Sequence, residues 1–321
     1  MNRLIIIVPA YNEEESLLKS IRILDSVLKG LIQGQRISDE SKIVVVNDGS
    51  TDSTWEIIRE ESKINNSISG INLSRNFGHQ NAIIAGLTTL KNFGDIFITI
   101  DADLQDDVAA IEKMIDAYDA GFDVVYGARS SRDTDTKFKR WTAEIFYTMM
   151  NKIGVEMVPD SADYRLTSRR VVDHLLEFKE HSLFLRGIIP KIGFSSTVVY
   201  YARKERDAGQ SKYPINKMLS FAWDGITSFS VAPIRLVLSI SIIITVVSLF
   251  MMLYTGFRYF SGQTIQGWSS LMISIWFLGG IQLFGLAIIG EYVGKVFNET
   301  KARPRFIVQT NLLADDSHAD K

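Results

Sequence analysis

Asp101 and Asp103 stand two residues apart in Asp101-Ala102-Asp103-Leu104-Gln105-Asp106, directly after the apolar run Ile96 to Ile100. If the chain stays extended there, residues i and i+2 project to the same side, so both carboxylates can face one cation. Hard oxygen ligands without His or Cys suit Mg²⁺ or Mn²⁺, ions that commonly hold substrate phosphates as well. The same residues also read as an acidic turn capping a helix that starts near Asp107. Asp48 in Asn47-Asp48-Gly49-Ser50 has a double reading too. Its carboxylate can accept a hydrogen bond from a base or ribose, or it can belong, with Thr51 and Asp52, to a turn and helix cap. A third polar cluster, Pro9-Ala10-Tyr11-Asn12-Glu13, follows another apolar run.

The elements that must position these clusters are legible from periodicity. Leu4 to Val8, Ile43 to Val46, Ile96 to Ile100 and Asp123 to Tyr126 are short, β-branched runs, as expected of strands buried on both faces. Glu13 to Lys29, Ser53 to Ile64, Gln80 to Lys91 and Asp107 to Ala120 show helical spacing. The alternation predicts an α/β domain, Rossmann-like, with a mostly parallel sheet and helices on both faces. Ligands of such sheets bind beyond the carboxyl ends of the strands, where all three polar clusters fall. There is no G-x-G-x-x-G after the first strand and no G-x-x-x-x-G-K-[ST], which removes the main support for a dinucleotide oxidoreductase or a P-loop NTPase.

Composition excludes other classes. The chain has 321 residues with 35 Lys+Arg against 37 Asp+Glu, so it is neither a strongly basic nucleic-acid binder nor an acidic disordered chain. It has no cysteine, and His79, His174, His181 and His318 are scattered, which excludes a disulfide scaffold, a thiol nucleophile and Cys/His zinc sites.

Charge is unevenly distributed. Between Arg235 and Glu291 the only charged residue is Arg258. The run from Leu236 to Phe257 reaches about 33 Å as a helix, enough for a hydrocarbon core of roughly 30 Å. A second uncharged run follows, so two transmembrane helices are expected, at about 236–257 and 268–290. Lys212, Lys217 and Arg235 precede the first, and Lys295, Lys301, Arg303 and Arg305 follow the second, so the positive-inside rule puts both flanks in the cytoplasm. Leu4 to Val8 is too short for a signal peptide. The expected organisation is a catalytic domain over 1–213, an interfacial amphipathic segment over 214–233, the two spans within 234–291 and a cytoplasmic tail over 292–321. The localisation is the inner (cytoplasmic) membrane, multi-pass, with the catalytic domain cytoplasmic.

Together the clusters are specific. Pro9 to Glu14, Asn47 to Ser50, Arg75-Asn76-Phe77-Gly78 and Asp101 to Asp106 resemble, in order and spacing, the family 2 inverting glycosyltransferases of GT-A fold. Gly127-Ala128-Arg129, Asp163-Tyr164-Arg165-Leu166, Arg203 to Tyr213 and the two-span tail narrow this to the polyprenyl-phosphate glycosyltransferases, the branch of bactoprenol glucosyltransferases and dolichol-phosphate mannose synthase. The resemblance runs from Leu4 to about Val308. It implies that Pro9, Tyr11, Glu13 and Asp48 line a nucleotide pocket, with Asp101 on the ribose or metal side. Asp101, Asp103 and Gln105 are then the metal set for Mg²⁺ or Mn²⁺, Arg129 lies near the phosphates, and Asp163 is the candidate base. Relatives often have Gly before that Asp, where this chain has Ala162. Arg203, Lys204, Arg206 and Lys212 form a basic cluster where an anionic lipid head would enter; Arg206 and Lys212 match the family's motif, while for Arg203 and Lys204 general attraction to anionic bilayer lipid is the lesser alternative. His79 reads either as a neighbour of the donor or as a capping residue.

The implied reaction moves one sugar, glucose from UDP-glucose as first candidate, onto undecaprenyl (polyprenyl) phosphate for cell-envelope glycan modification. GDP-mannose, UDP-galactose and UDP-GlcNAc are alternative donors. A lipid phosphate has a second pKa near 6 and is largely ionised at neutral pH, so Asp163 is expected to orient the acceptor more than to deprotonate it. A processive polysaccharide synthase would carry Q-x-x-R-W, whereas Arg140-Trp141 here has Lys137 at the Gln position. Two helices are too few for a transporter bundle. A homo-oligomer and a downstream flippase partner are expected from the likeness, and no nucleic acid.

Overall fold

The computed structural model describes residues 1–130, 158, 161–180, 184–201, 232–261 and 267–313. Among these, eight strands form one sheet: β1 (Leu4–Ala10), β2 (Lys42–Asn47), β3 (Ile68–Leu73), β4 (Ile96–Thr99), β5 (Val124–Arg129), β6 (Ser161–Ser168), β7 (Ser196–Tyr201) and β8 (Val308–Asn311). The order across the sheet is β7-β5-β6-β4-β1-β2-β3-β8. β1 pairs in parallel with β2 and β4, β2 with β3, and β5 with β7, while β6 and β8 run antiparallel to their neighbours. The expected mostly parallel α/β sheet is therefore present.

The strands β1 and β2 are buried almost throughout because each is covered on both faces, which is why their sequences run Ile-Ile-Ile-Val and Val-Val-Val without alternation. The helix α1 (Leu17–Gln33) buries Leu17, Ile21, Leu24, Leu28 and Leu31, one stripe at helical spacing against β1 and β2. Each such side chain contributes roughly 1.5–3 kcal/mol when fully buried. The helix begins four residues later than the periodicity predicts. Glu13 and its neighbours form a turn in which the Glu13 carbonyl accepts from the Ser16 and Leu17 amides, at 3.1 and 2.9 Å. The helices α2 (Thr54–Ile64), α3 (His79–Leu90) and α4 (Ala110–Asp119) fall within a few residues of where the helical spacing predicts them, and they follow β2, β3 and β4.

Four strands were not predictable from apolar runs. β3 reads Ile-Ser-Gly-Ile-Asn-Leu, with small residues where α2 presses on the sheet. A Cβ on Gly70 would lie 2.4 Å from Ile58 Cγ2, so the close packing itself demands glycine. β6 carries Asp163 and Arg165 in its interior, and β7 is only partly buried. β8 comes from the segment read in the sequence only as a tail. It covers the outer edge of β3, pairing Val308 with Leu73, Thr310 with Asn72 and Asn311 with Ile71, and the Ser74 amide donates to the Ile307 carbonyl at 3.0 Å. Ending the chain at Arg305 is expected to leave β3 as a bare edge, lowering stability by on the order of 2 kcal/mol and promoting aggregation. Thermal melts and light scattering of the truncated protein check this, and unchanged values would reject it.

The remaining helices of the sheet-bearing unit are α5 (Arg169–Glu177) and α6 (Leu185–Ile192). A second unit contains two long helices, α7 (Ala232–Phe260, 29 residues) and α8 (Trp268–Thr300, 33 residues). They touch where Gly285 meets Val237 Cγ1. Among the described residues one helical segment, Phe277–Thr300, is long and apolar enough to cross a membrane by length and composition. The sequence reading expects two. The expected interfacial segment at 214–233 lies almost wholly outside the described residues, as do Arg203, Lys204, Arg206 and Lys212.

Candidate active site

The carboxyl ends of β1, β2, β3 and β4 lie along one margin of the sheet because the four strands are parallel. There the loops are laced together. The Asn12 amide donates to Ser50 Oγ at 2.9 Å, the Thr51 amide to Asn12 Oδ1 at 2.9 Å, and the Glu13 amide to Thr54 Oγ1 at 2.9 Å. Asn12 adopts φ 53°, a left-handed conformation that Asn tolerates better than most residues. Pro9 is buried inside β1, Tyr11 stands 45% exposed on the margin, and Glu13 Oε2 accepts the Ser16 hydroxyl at 2.8 Å.

Asp48 is buried and accepts the amides of Phe77 at 2.7 Å and Gly78 at 2.9 Å, one on each oxygen. It therefore ties the β2–α2 loop to the β3–α3 loop. Burial raises its pKa, a shift those two amides partly oppose. These bonds are not those of the turn-and-cap reading, since they reach across to the β3–α3 loop and Ser53, the N-cap of α2, makes no side-chain cap bond; any contact with a nucleotide would be additional to them.

After β4 the chain does not stay extended. Residues 101–104 form a turn in which the Leu104 amide donates to the Asp101 carbonyl at 3.2 Å, with Leu104 at φ 43°. Asp103 is exposed and its Oδ1 accepts the Gln105 amide at 3.3 Å, while Gln105 is buried. Asp107 Oδ1 accepts the Ala109 amide at 3.2 Å in the turn before α4, whose N-cap, Ala109, makes no side-chain cap bond. Asp101 and Asp103 lie on the turn that precedes it.

The antiparallel strand β6 completes the site. β4 and β6 pair Ile96 with Ser168 through Thr99 with Arg165, and continuing that register by two residues sets Asp163 opposite Asp101. Thr99 Oγ1 donates to the Asp163 carbonyl, and His79 Nε2 lies 3.4 Å from Asp101 Oδ1 and 3.5 Å from Asp163 Oδ2. Alternation along β6 puts Tyr164 and Leu166 into the core and Asp163 and Arg165 on the other face. Arg165 pairs with Asp163 Oδ1, and Arg186 of α6 reaches both Asp163 oxygens at 3.3 Å. Arg129, at the end of β5, lies 3.7 Å from the buried Asp106, which also accepts the Tyr201 hydroxyl at 2.7 Å.

The two facing carboxylates are shifted in opposite directions. Burial pushes Asp101 up to about 6, helped by the charges of Asp163, Asp106 and Asp103 and resisted by His79. Burial also works against ionised Asp163, but the His79 hydrogen bond and the charges of Arg186 and Arg165 outweigh it and hold Asp163 well below the usual carboxylate range. His79 is shifted upward: burial opposes its charge, and Asp163 and Asp101 overcome that opposition. Asp163 is thus a firmly ionised group and a weak base. Sequence reasoning gave no role to Arg165 or Asp106, although both stand inside quoted motifs, and it missed Arg186, which stands in none.

A mostly parallel sheet with carboxylates, arginines and a histidine converging at its carboxyl margin defines an α/β enzyme acting on a polar, charged substrate. Residues 5–176 match the family described as Glycosyl transferase family 2. The chain belongs to that family and is a glycosyltransferase with a GT-A-like fold. It is 48% identical over 309 residues to a protein of Bacillus subtilis (strain 168) named "Uncharacterized glycosyltransferase YkoT", covering 96% of this chain and 92% of that one. It is 38% identical over 313 residues to the bactoprenol glucosyl transferase of Shigella phage SfX, covering 95% and 98%. With the prophage bactoprenol glucosyl transferase homolog of Escherichia coli (strain K12) it shares 37% over 312 residues, covering 95% and 97%.

Proposed function

We propose that this glycosyltransferase moves a single sugar, glucose from UDP-glucose as first candidate, to a polyprenyl phosphate at the cytoplasmic face of the membrane. The observation that carries the reading is the similarity to bactoprenol glucosyl transferases over 95% of the chain, which takes in both long helices as well as the sheet. The site chemistry supports it. An ionised phosphate acceptor needs little base strength, and Asp163 offers little. Its place across from Asp101 suits orientation of the acceptor's attacking oxygen, with Arg129 near the donor phosphates. Pro9, Tyr11, Glu13 and Asp48 bound the nucleotide side.

The turn fits a divalent cation. Asp101 and Asp103 supply hard oxygens; burial pushes Asp101 up to about 6, and the charges of Asp163, Asp106 and Asp103 that add to that rise are what a cation would relieve. Asp101 and Asp103, with Gln105, would hold Mg²⁺ or Mn²⁺, which as a Lewis acid neutralises charge on the departing nucleoside diphosphate. The membrane assignment draws on α7 and α8. Leu238, Ile242, Phe250 and Phe257 on the first, and Phe277, Leu283, Phe284 and Phe297 on the second, are exposed large apolar side chains. Basic residues before the first helix and after the second are what the positive-inside rule expects of a hairpin with both flanks on one side. Arg206 and Lys212, outside the described residues, are assigned to the lipid phosphate. A homo-oligomer and a downstream flippase complete the proposal.

The test incubates purified protein with short-chain polyprenyl phosphate and labelled UDP- and GDP-sugars, with Mg²⁺, Mn²⁺ or EDTA. Transfer of one glucose is expected, reduced at least about a hundredfold by EDTA or by Asp103→Ala. Transfer that survives both rejects the cation, and no lipid-linked product from any donor rejects the function.

A further inference from the structure

Three side-chain amides form one continuous row across the sheet, from its last strand to the loops of the nucleotide side. Asn72 Nδ2 of β3 donates to Gln309 Oε1 of β8 at 3.4 Å, and Asn47 Nδ2 of β2 donates to Asn72 Oδ1 at 2.7 Å. Asn47 Oδ1 accepts the Ser50 hydroxyl and, at 3.3 Å, the Ser50 amide. Ser50 Oγ in turn accepts the Asn12 amide at 2.9 Å. The row therefore ends on Asn12, the residue after Tyr11, whose left-handed backbone shapes the turn that follows β1. Its direction is set from that end. A backbone amide can only donate, so Ser50 takes Asn47 Oδ1, and Asn47 and Asn72 each present their NH₂ group toward β8.

β8 is shaped to receive the row. Its ladder with β3 sets Thr310 opposite Asn72 but Val308 opposite Leu73, which leaves Gln309 as an extra residue in a bulge. In an unbroken antiparallel register Gln309 would oppose Leu73 and share the face of that buried side chain. The bulge turns it instead toward Asn72. Gln309 is exposed, so the sheet gains little burial from it, whereas Asn47 is 2% exposed and depends on its partners. A second link runs through the backbone. The Ile307 carbonyl accepts the Ser74 amide at 3.0 Å, directly before Arg75 to Gly78, where Asp48 holds the amides of Phe77 and Gly78. β8 thus grips two loops of the nucleotide side, one through side chains and one through backbone.

We propose that Asn47, Asn72 and Gln309 are positioning residues for the nucleotide-sugar, which makes β8 a working part of the site as well as an edge cover. They touch no substrate. They hold the turn after β1 and the β2–α2 loop in one arrangement, so that the nucleotide meets a preformed surface and spends no binding energy on ordering it. This rests on the function proposed above, in particular on a nucleotide side at Pro9, Tyr11, Glu13 and Asp48, and deepens it by naming what keeps that side in shape.

The experiment titrates the full-length protein in detergent with UDP and with GDP in the presence of Mg²⁺, and measures kcat and both KM values for glucose transfer in parallel. Gln309→Met is expected to weaken nucleotide binding about threefold and Asn72→Leu about tenfold, the scale of one and of two neutral hydrogen bonds. In both variants kcat and the KM for polyprenyl phosphate are expected within about twofold of wild type, a split that a general loss of folding does not give. Gln309→Glu keeps an acceptor for Asn72 and is expected to restore nucleotide affinity to within about twofold. Combining Gln309→Met with Asn72→Leu is expected to cost no more than Asn72→Leu alone, because Gln309 acts through Asn72. Gln309→Met, on an exposed side chain, decides the matter if Asn72→Leu does not fold. Variants that bind nucleotide as tightly as wild type, or that lose kcat as much as nucleotide affinity, overturn the assignment. A wild type that binds neither nucleotide overturns the proposed nucleotide side and the assignment with it. Nucleotide binding that depends on the row, without any lipid-linked product, supports the assignment and overturns the proposed function instead.

Discussion

Asp163→Asn is expected to lower sugar transfer by roughly 10²–10³-fold, the usual scale for losing one preorganised charge at a reacting centre. It is also expected to destabilise the fold by about 3–5 kcal/mol, because Arg165 remains buried without its counter-charge. The two effects separate in a second variant. Asp163→Asn combined with Arg165→Met removes the stranded charge, so it should recover most of the stability and none of the activity. Denaturant melts and initial rates on the three proteins test this. A single variant as stable as wild type would show that Asp163 and Arg165 do not depend on each other. The pH dependence has a definite sign. Asp163 is held below its unfolded pKa of about 4, so its stabilisation is present above that value and is lost as pH falls below it. His79 is held above its unfolded value of about 6.5, so its contribution is present below that pH and is lost as pH rises through the higher folded value. Melts between pH 3 and pH 6 should therefore show a shallower acid loss for Asp163→Asn than for wild type.

Gly49→Ala is the second large effect. Gly49 has φ +64°, and a Cβ there would lie 2.3 Å from the Arg75 carbonyl carbon and 2.6 Å from Arg75 Cα and the Asn76 nitrogen. These are backbone atoms, so no side-chain rotation relieves the contact. The β3–α3 loop must move away, and with it the two amides that Asp48 holds. Strain and overpacking together are expected to cost about 2–4 kcal/mol, and nucleotide-sugar affinity should fall at least about tenfold as the loops separate. Gly78 provides the control. It has φ +94° but nothing within 4 Å of its Cβ position, so Gly78→Ala carries the conformational penalty alone, about 1 kcal/mol. Equal losses for the two variants would show that contact with Arg75 is not what demands glycine at position 49.

The parts of this molecule that were legible in sequence are those encoded locally. Ile-Ile-Ile-Val and Val-Val-Val announce doubly covered strands, and the 3–4 spacing of Leu17, Ile21, Leu24 and Leu28 announces the helix that covers them. The polar clusters after β1, β2 and β4 could be placed at one margin because parallel strands share a direction. β3, β7 and β8 escaped for physical reasons. Gly70 and Ser69 yield space to α2 instead of contributing bulk, β7 is half-exposed, and β8 is four residues long with only its backbone to declare it.

β6 marks the boundary between the two kinds of information. Ser-Ala-Asp-Tyr-Arg-Leu-Thr-Ser has no continuous apolar run, because one of its faces carries the charged side chains of the site. Likeness to a family singled out Asp163 as a residue, yet its neighbours and its protonation followed only from antiparallel insertion between β4 and β5. That register sets Asp163 opposite Asp101, 62 positions away in the chain, and brings Arg186 and His79 onto the same carboxylate. By itself, then, the amino-acid sequence determined the alternating elements, the margin of the sheet where polar loops gather and the stretch with a single charge that follows, since each depends on residues near one another in the chain. Only the tertiary structure decided that Asp163 is a saturated, firmly ionised group, because its charge state is set by groups that only the packed sheet brings within hydrogen-bonding distance.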